Sequence, residues 1–459
     1  MALAADPTTA ELKAQIDALQ KKVETLESKQ ISTADVDATV QRVLNDAQKR
    51  SQLMKSDGFT AGYTADRGFI LQDAKGDFLL HPYVQFQLRD SSNWRASSKS
   101  GNGNTDFENG FEIRRLKVGV DGNAYGNALT YQFQWATNRG DTGTTAGTGG
   151  VPVLEDAWAK YRFTELMAAQ GGQFKDPLFR ESLVSSTKQL AADRSLQNAI
   201  LEGNDNYIQG VSLLYGDKSP LHIQGAFTDG FAGSNANFQD PQGGDPVDAG
   251  YVANGNKKYN FGLAARAEYM ALGDPAKTWK RYSSFSAQGA KEDSDMLILG
   301  SAGEWDQAGD ANTFWYTADA QWQPQAITGL SVFGAFVGRY NQIDATELDA
   351  QRGSANDWGF LAQAGYMVTS RIEPFVRYDY TRVNQDILTS KQANAYGTRN
   401  VHEITGGVNY YIHGQNAKIT LDLTFLPNGS PIAAGGQDIL AQNKEKDQWL
   451  ARVQFQLVL

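Results

Sequence analysis

The sequence predicts an all-β protein: a 16-stranded transmembrane antiparallel β-barrel with an N-terminal α-helical coiled coil. Three observations predict it. From about residue 79 to the last residue, side chains alternate apolar and polar with a period of two; roughly sixteen such runs can be marked; and the connections between them alternate short and long.

Composition narrows the classes first. The 459 residues include 46 Gly, 19 Tyr, 22 Phe and 9 Trp but no Cys, and only 41% are hydrophobic. No run approaches the roughly 18 apolar residues of a spanning helix, which excludes a helical membrane protein. Without Cys there are no disulfides, thiolate metal sites or Cys nucleophiles. A net charge of -10 argues against nucleic acid as a partner. Ala2-Leu3-Ala4-Ala5 has the small-residue character of a signal-peptidase product, so residues 1–9 are expected to be the N-terminal tail of a mature exported chain.

Residues 10–57 lack Gly and aromatics and suit a helix. Leu12, Ile16, Leu19, Val23 and Leu26 step by fours and threes, placing Ile16 and Val23 at heptad position a and the three leucines at d. Lys22 at g and Glu27 at the next e can pair across a coiled-coil seam. The stripe weakens at Gln30, Thr33 and Asp37 and partly returns at Val40, Leu44, Ala47 and Met54. A single amphipathic helix lying on its own globular domain is the alternative. Residues 58–78 are expected to be a linker, and 79–459 the barrel.

The alternation is clearest where Leu129, Tyr131, Phe133 and Trp135 interleave with Thr130, Gln132 and Gln134, and where Ile419, Leu421, Leu423 and Phe425 interleave with Thr420, Asp422 and Thr424. Strands are expected at 79–89, 111–121, 127–137, 153–163, 166–175, 207–216, 219–229, 257–270, 295–305, 311–323, 329–340, 357–368, 371–382, 400–413, 416–426 and 448–459, near the length a tilted strand needs to cross a bilayer. Tight links such as Thr164-Glu165 and Gly414-Gln415 take turns with long stretches such as 138–152 and 230–256. Two connections break the rule: 271–294 is long where a turn is due, and 306–311 is short where a loop is due. Pro374 lies inside a strand and deletes a ladder donor, so a bulge or shift is expected there. An even strand number puts both barrel ends on the short-turn, periplasmic rim, and with them the N-terminal helix.

Phe111-Glu112-Ile113-Arg114-Arg115-Leu116-Lys117-Val118-Gly119-Val120-Asp121-Gly122, Gly172-Gln173-Phe174-Lys175-Asp176-Pro177, Thr405-Gly406-Gly407-Val408-Asn409-Tyr410-Tyr411 and the terminal Arg452-Val453-Gln454-Phe455-Gln456-Leu457 together resemble the phosphate-selective porin O and P family of bacterial outer-membrane channels. The resemblance covers most of residues 80–459 and leaves out the coiled coil. It implies a homotrimer of sixteen-stranded barrels, each with its third long loop, here residues 176–206, folded inward as a constriction.

Function in such a barrel follows from the charges that line the lumen. Strand parity turns Arg89, Arg115, Lys117, Lys160, Arg162, Arg266, Arg377, Lys418 and Arg452 inward, with Asp121, Glu268, Asp319, Asp379 and Asp422. The wall is thus expected to be modestly cationic. Around the implied constriction, Lys175, Arg180, Lys188 and Arg194 are offset by Asp176, Glu181 and Asp193. Passive diffusion of small hydrophilic solutes is expected, neutral or anionic, with a mild preference for phosphate- or carboxylate-bearing ones because Arg donates in a planar fork. If the lysines and arginines are instead ordinary solvated groups paired with the acids, no strong selectivity follows.

No enzyme is expected. His81, His222, His402 and His413 are scattered, no GxSxG elbow or P-loop is present, and neither cofactor nor metal is called for. A structural alternative remains: the coiled coil as an envelope tether reaching a cell-wall or periplasmic partner. Against it stands a clamp, in which three N-termini on one rim hold each other.

Overall fold

Every one of the sixteen alternating segments is a strand. The computed structural model describes residues 9–28, 41–43, 45, 58–64, 68–95, 107–138, 152–202, 207–231, 260–289, 295–308, 311–343, 353–384, 400–430, 435–441 and 446–459. Helix α1 (Thr9–Ser28) and two short strands, β1 (Thr60–Thr64) and β2 (Gly68–Gln72), come first. The barrel strands are β3 (Leu79–Arg95), β4 (Phe107–Asn123), β5 (Leu129–Asn138), β6 (Val153–Arg162), β7 (Met167–Lys175), β8 (Tyr207–Tyr215), β9 (Leu221–Thr228), β10 (Phe261–Leu272), β11 (Met296–Ala308), β12 (Ala311–Gln323), β13 (Leu330–Ile343), β14 (Gly353–Tyr366), β15 (Ile372–Arg382), β16 (Asn400–His413), β17 (Ala417–Leu426) and β18 (Gln448–Val458). The chain forms two compact units, residues 1–61 with 71–75, and residues 62–70 with 76–459.

Each barrel strand pairs antiparallel with the next, and β18 pairs with β3 from Gln448↔Arg95 to Val458↔Gln85. Val84 and Leu459 exchange two further backbone hydrogen bonds, at 3.1 and 2.9 Å, so the seam closes and no barrel edge is left open. Several strands run beyond the alternating stretches at the long-loop rim. β3 and β4 stay paired to Trp94↔Phe107, where ladder bonds carry Ser and Asn residues that show no apolar period.

Pro374 causes no bulge, contrary to expectation: β15 and β16 stay in register from Ile372↔Tyr410 to Arg382↔Asn400. Tyr411 N donates to Arg371 O, so odd-numbered β15 residues carry the hydrogen bonds to β16 and Pro374's nitrogen turns toward β14. The β14–β15 pairs end at Gly365↔Phe375, one step short of it, and the missing donor falls where the ladder has stopped.

Four register shifts occur where none was expected; those at Met270/Leu272 and Tyr411/His413 lie at the short-turn ends of β10 and β16, and the other two bear on the interior. Gln87 faces Arg115 while Leu88 faces Ile113, leaving Arg114 as an extra residue in β4; Gln134 faces Asp156 while Trp135 faces Leu154, leaving Glu155 extra in β6. Each bulge turns two consecutive charged side chains to the same inner side, and Arg114, Arg115, Glu155 and Asp156 are all buried. Outward positions are apolar and exposed, as at Val118, Phe133, Val211, Leu213, Val376, Leu421 and Val453.

The inside is filled unevenly. Residues 176–202, between β7 and β8, turn inward as three short helical pieces: α2 (Arg180–Leu183), a 3-10 turn at Ser186–Lys188 and α3 (Leu196–Leu201), whose Ser195 cap accepts from Asn198 N at 3.1 Å. Their Leu178, Phe179, Leu196 and Ile200 join a buried cluster with Trp315, Val337, Val401 and Leu450 of the strands. The long connection after β10 carries α4 (Pro275–Tyr282), capped by Asp274, and then Phe285, which packs with Val184, Leu190, Phe333 and Phe375. Insertions from opposite rims therefore share an apolar core inside the barrel.

Candidate functional site

The inward loop is held by charge as well as by apolar contact. Asp193 sits among three guanidiniums: Arg89 Nη2 at 2.7 Å, Arg114 Nε at 2.8 Å and Arg115 Nη2 at 2.9 Å. Burial alone would raise its pKa, but Arg114, Arg115 and Arg89 outweigh this and hold its carboxyl well below the usual range. A third insertion joins the cluster from the last long loop, where Asp438 accepts from Arg89 Nη1 at 3.0 Å and from Ser91 Oγ at 2.7 Å.

Just across the β18 seam the loop's backbone is read by strand carboxylates. Ala192 N donates to Asp422 at 2.9 Å and Leu196 N to Glu403 at 2.6 Å; Arg377 in turn reaches Glu403 at 2.6 Å and the Asp193 carbonyl at 2.8 Å. Inside the loop, Glu181 accepts from Ser195 N and Oγ at 2.9 and 2.6 Å, and Arg194 donates to the Glu181, Ser182 and Val184 carbonyls. Burial pushes Glu181 up despite Arg377, and pushes Glu202 well above the ordinary carboxylate range. Lys175 Nζ donates to the Ser182 carbonyl at 2.5 Å.

The two insertions also meet. Arg180 lies 3.6 Å from the Tyr282 ring centre and donates to the Tyr282 carbonyl; Lys188 Nζ donates to Ser283 Oγ at 2.9 Å, and Phe285 N to the Lys188 carbonyl at 3.2 Å. Ser286 Oγ then donates to Glu373 at 2.8 Å, fixing the second insertion to β15.

The residues expected to line the lumen therefore divide. Arg89, Arg115, Lys117, Arg266, Arg377, Lys418 and Arg452 are buried and partnered: Lys117 with Glu155 at 2.6 Å, Arg266 with Asp319 at 2.9 Å and Glu268 at 2.8 Å, Lys418 with the Gln189 carbonyl at 2.9 Å, and Arg452 with Asp422 through two bonds. Lys160 and Arg162 keep exposure on the inner side of β6, where Arg162 pairs with Asp217 at 3.1 Å. They line a cavity of about 270 Å³ toward the short-turn rim, together with His222, Arg266 and Glu268. Asp121 holds His81 Nδ1 at 2.8 Å, and Asp379 accepts from Gln197 N at 3.3 Å.

The modestly cationic wall is not what the interior holds. Among the described buried residues, nine arginines and two lysines face fourteen Asp and Glu side chains. Sequence parity missed Arg114 and Glu155 because of the bulges, and gave Arg339–Asp357, at 2.6 Å, no notice. One signal for the filled interior was available: Trp315, Phe333, Val337, Leu361 and Phe375 are apolar at inward positions of β12–β15, where a wet lumen would favour polar side chains.

On α1, Leu12, Ile16, Leu19 and Val23 are all exposed, leaving the heptad stripe uncovered within its own unit; the Leu26 side chain lies outside the described residues, as do Gln30, Thr33, Asp37, Val40, Leu44, Ala47 and Met54. Among the described residues no group of three or more His, Asp or Glu is arranged to hold a metal ion.

A closed sixteen-stranded antiparallel barrel, apolar outside and charged within, is the architecture of a β-barrel channel protein. The family model for phosphate-selective porin O and P matches residues 92–424, and the chain belongs to that family of outer-membrane channels. Among solved structures it is similar to OmpF of Salmonella typhi in complex with daunomycin, at 12% identity and a TM-score of 0.51, over 83% of this chain and 99% of that one. It is also similar to an anion-selective porin from Comamonas acidovorans (12% identity, TM-score 0.49, 83% and 99%) and to the outer membrane channel DcaP of Acinetobacter baumannii (10%, 0.49, 84% and 99%). At these identities the likeness is one of fold. No curated protein matches the chain.

Proposed function

We propose that the protein is a passive diffusion channel for small hydrophilic solutes, spanning the outer membrane through residues 79–459, with a mild preference for anions. One observation carries the reading: outward side chains along the strands are apolar and exposed, while inward ones, outside the apolar cluster of β12–β15, are mostly polar or charged. Lipid would cover the first set and water the second. The preference for anions rests on Lys160 and Arg162, which keep exposure beside the cavity while Arg89, Arg115, Lys117, Arg266, Arg377, Lys418 and Arg452 are buried and partnered. The buried set, Arg89, Arg115, Lys117, Arg266, Arg377 and Lys418, then acts by shaping the passage, and residues 176–202 act as its constriction.

The working unit is a homotrimer. Residues 1–9 form a tail, 10–57 a periplasmic coiled coil and 58–78 a linker. The coiled coil clamps the trimer through Leu12, Ile16, Leu19, Val23 and Leu26; a tether to the cell wall is the second reading, favoured by the same exposed stripe. Reversal potentials in a salt gradient across planar bilayers test the channel and its sign together. Anion preference that falls in a Lys160→Glu, Arg162→Glu variant supports the proposal, and an unchanged reversal potential removes those residues from the ion path. Deleting residues 12–26 separates clamp from tether: a clamp loses trimer stability, whereas a tether leaves the trimer intact and changes envelope spacing.

A further inference from the structure

The tightly packed part of this lumen and its wetted part are different places. Inward side chains of β11–β18 are buried beneath residues 176–202, 273–289 and 435–441, and so are Gln85, Gln87, Arg89, Arg114, Arg115 and Lys117 of β3 and β4; half-exposed inward side chains gather toward the short-turn ends of β3–β7. There lie half-exposed Tyr83, Gln132, Gln134, Trp158, Lys160 and Gln170: three amides, two rings and one cation, with the nearby exposed Arg162 paired to Asp217 at 3.1 Å. Building on the reading of a solute passage, we infer that this lane binds polyhydroxylated rings of monosaccharide size.

The register places these side chains in three adjoining rows, the third with Lys160 facing Gln170. Tyr83 faces Gly119, which faces Gln134; one row away, Gln132 faces Trp158, Trp158 faces Gly172, and Gly172 faces Gly210. Rows on one face of a sheet lie two residues apart, roughly 7 Å, about the span of a pyranose ring. The glycines give the rings room. A Cβ at Gly119 would overlap the Tyr83 ring, so only glycine lets that ring lie along the wall. At Gly172, with φ +127°, and at Gly210, a Cβ would strike the backbone of the neighbouring strand, so no side chain stands opposite Trp158 on either of the next two strands.

The polar groups are oriented rather than loose. Tyr83 Oη donates to Gln134 Oε1 at 2.9 Å, and Gln132 Nε2 donates to Tyr83 Oη at 3.3 Å. An amide both donates and accepts, as a sugar hydroxyl does, and an aromatic face packs against the C–H face of a sugar ring. An oxyanion would be held by guanidinium forks, and those forks are already paired with Asp193, Glu403, Asp422, Asp319 and Asp357 and, for Arg162 beside the lane, with Asp217.

Single-channel recording of the full-length protein with glucose added to the bath tests this, with inorganic phosphate as the comparison. Glucose is expected to reduce the open current along a saturating curve and phosphate to do so only in proportion to concentration. Trp158→Ala should raise the half-saturating glucose concentration roughly three- to tenfold while salt conductance persists. Gln170→Ala should raise it less, and Trp158→Phe should restore most of the loss. Glucose block that never saturates, or that is unchanged in both Trp158→Ala and Gln170→Ala, overturns the inference; so does saturating block by phosphate alone. Absence of any salt conductance in the unaltered protein would instead overturn the channel reading beneath it.

Discussion

Arg114 Nε reaches Asp193 Oδ2 at 2.8 Å, and it does so from a strand position that regular alternation would have turned outward. The β4 bulge places Arg114 beside Arg115 on the inner side, and both then grip the same loop carboxylate. One buried anion thus collects three cations from β3 and β4 and ties the loop to the wall across the β18 seam from its bonds to β15–β17.

Asp193→Asn should loosen that tie. Removing one member of a buried ion cluster leaves the others uncompensated and costs roughly 3–5 kcal/mol. The expected result is a lower unfolding temperature in detergent together with greater open-channel noise, since the loop loses its charged anchor but keeps its apolar one. Unchanged noise with lowered stability would mean that the apolar cluster around Leu178 and Leu196 alone holds the loop still.

The junction between the two insertions governs how much of the lumen stays shut. Arg180 is stacked on Tyr282 and bonded to its carbonyl, and among the described residues nothing comparable joins Arg452 to the second insertion. Charge reversal at Arg180 or Arg194 is therefore expected to change single-channel conductance more than reversal at Arg452. Replacing residues 275–287 with a tight turn should raise conductance further. Equal effects at all three arginines would remove residues 176–202 from the role of constriction.

The loop's response to acid follows from two carboxyls shifted in opposite directions. Asp193 is depressed: its contribution to folding is present above the ordinary Asp value of about 3.9 and is lost only as pH falls through its lower folded value. Glu202 is raised by burial: its protonated form is favoured in the folded state, so its contribution is present below the ordinary Glu value of about 4.3 and is lost as pH rises through the higher folded one. Acidification from neutral pH toward about 5 should thus tighten the loop rather than release it. Conductance noise measured across that range should fall or stay level in the unaltered protein, and Glu202→Gln should weaken the dependence, leaving the part that Glu181, also raised by burial, contributes.

Strand placement was almost wholly legible because period two survives wherever one side of a strand differs from the other. All sixteen segments are strands, with ends moved by a few residues where polar Ser and Asn continue the ladder. The interior was much less legible. An inserted residue such as Arg114 or Glu155 breaks parity without changing composition, so counting along the chain assigns only one of each charged pair inward. Partners also come from far away in sequence: Arg89 meets Asp193 and Asp438 across more than a hundred residues, which no local pattern encodes. The long connection at 271–294 stood out by length, yet its inward course depends on Phe285 finding Phe333 and Val184.

The uncovered stripe of α1 supplies a last test. Leu12 and Leu19 at d, with Ile16 and Val23 at a, are all exposed, and a stripe of that spacing is stable when a second copy buries it. Ile16→Asp with Leu19→Asp places two charges in the seam. Under the clamp reading, the heat at which the trimer dissociates in detergent falls while single-channel conductance of assembled protein is unchanged, because the barrel seam between β18 and β3 is untouched. The barrel alone could bring three helices together, so the substitution should matter most at low protein concentration. A trimer equally heat-resistant with and without the two charges would assign the stripe to a partner other than a copy of this chain.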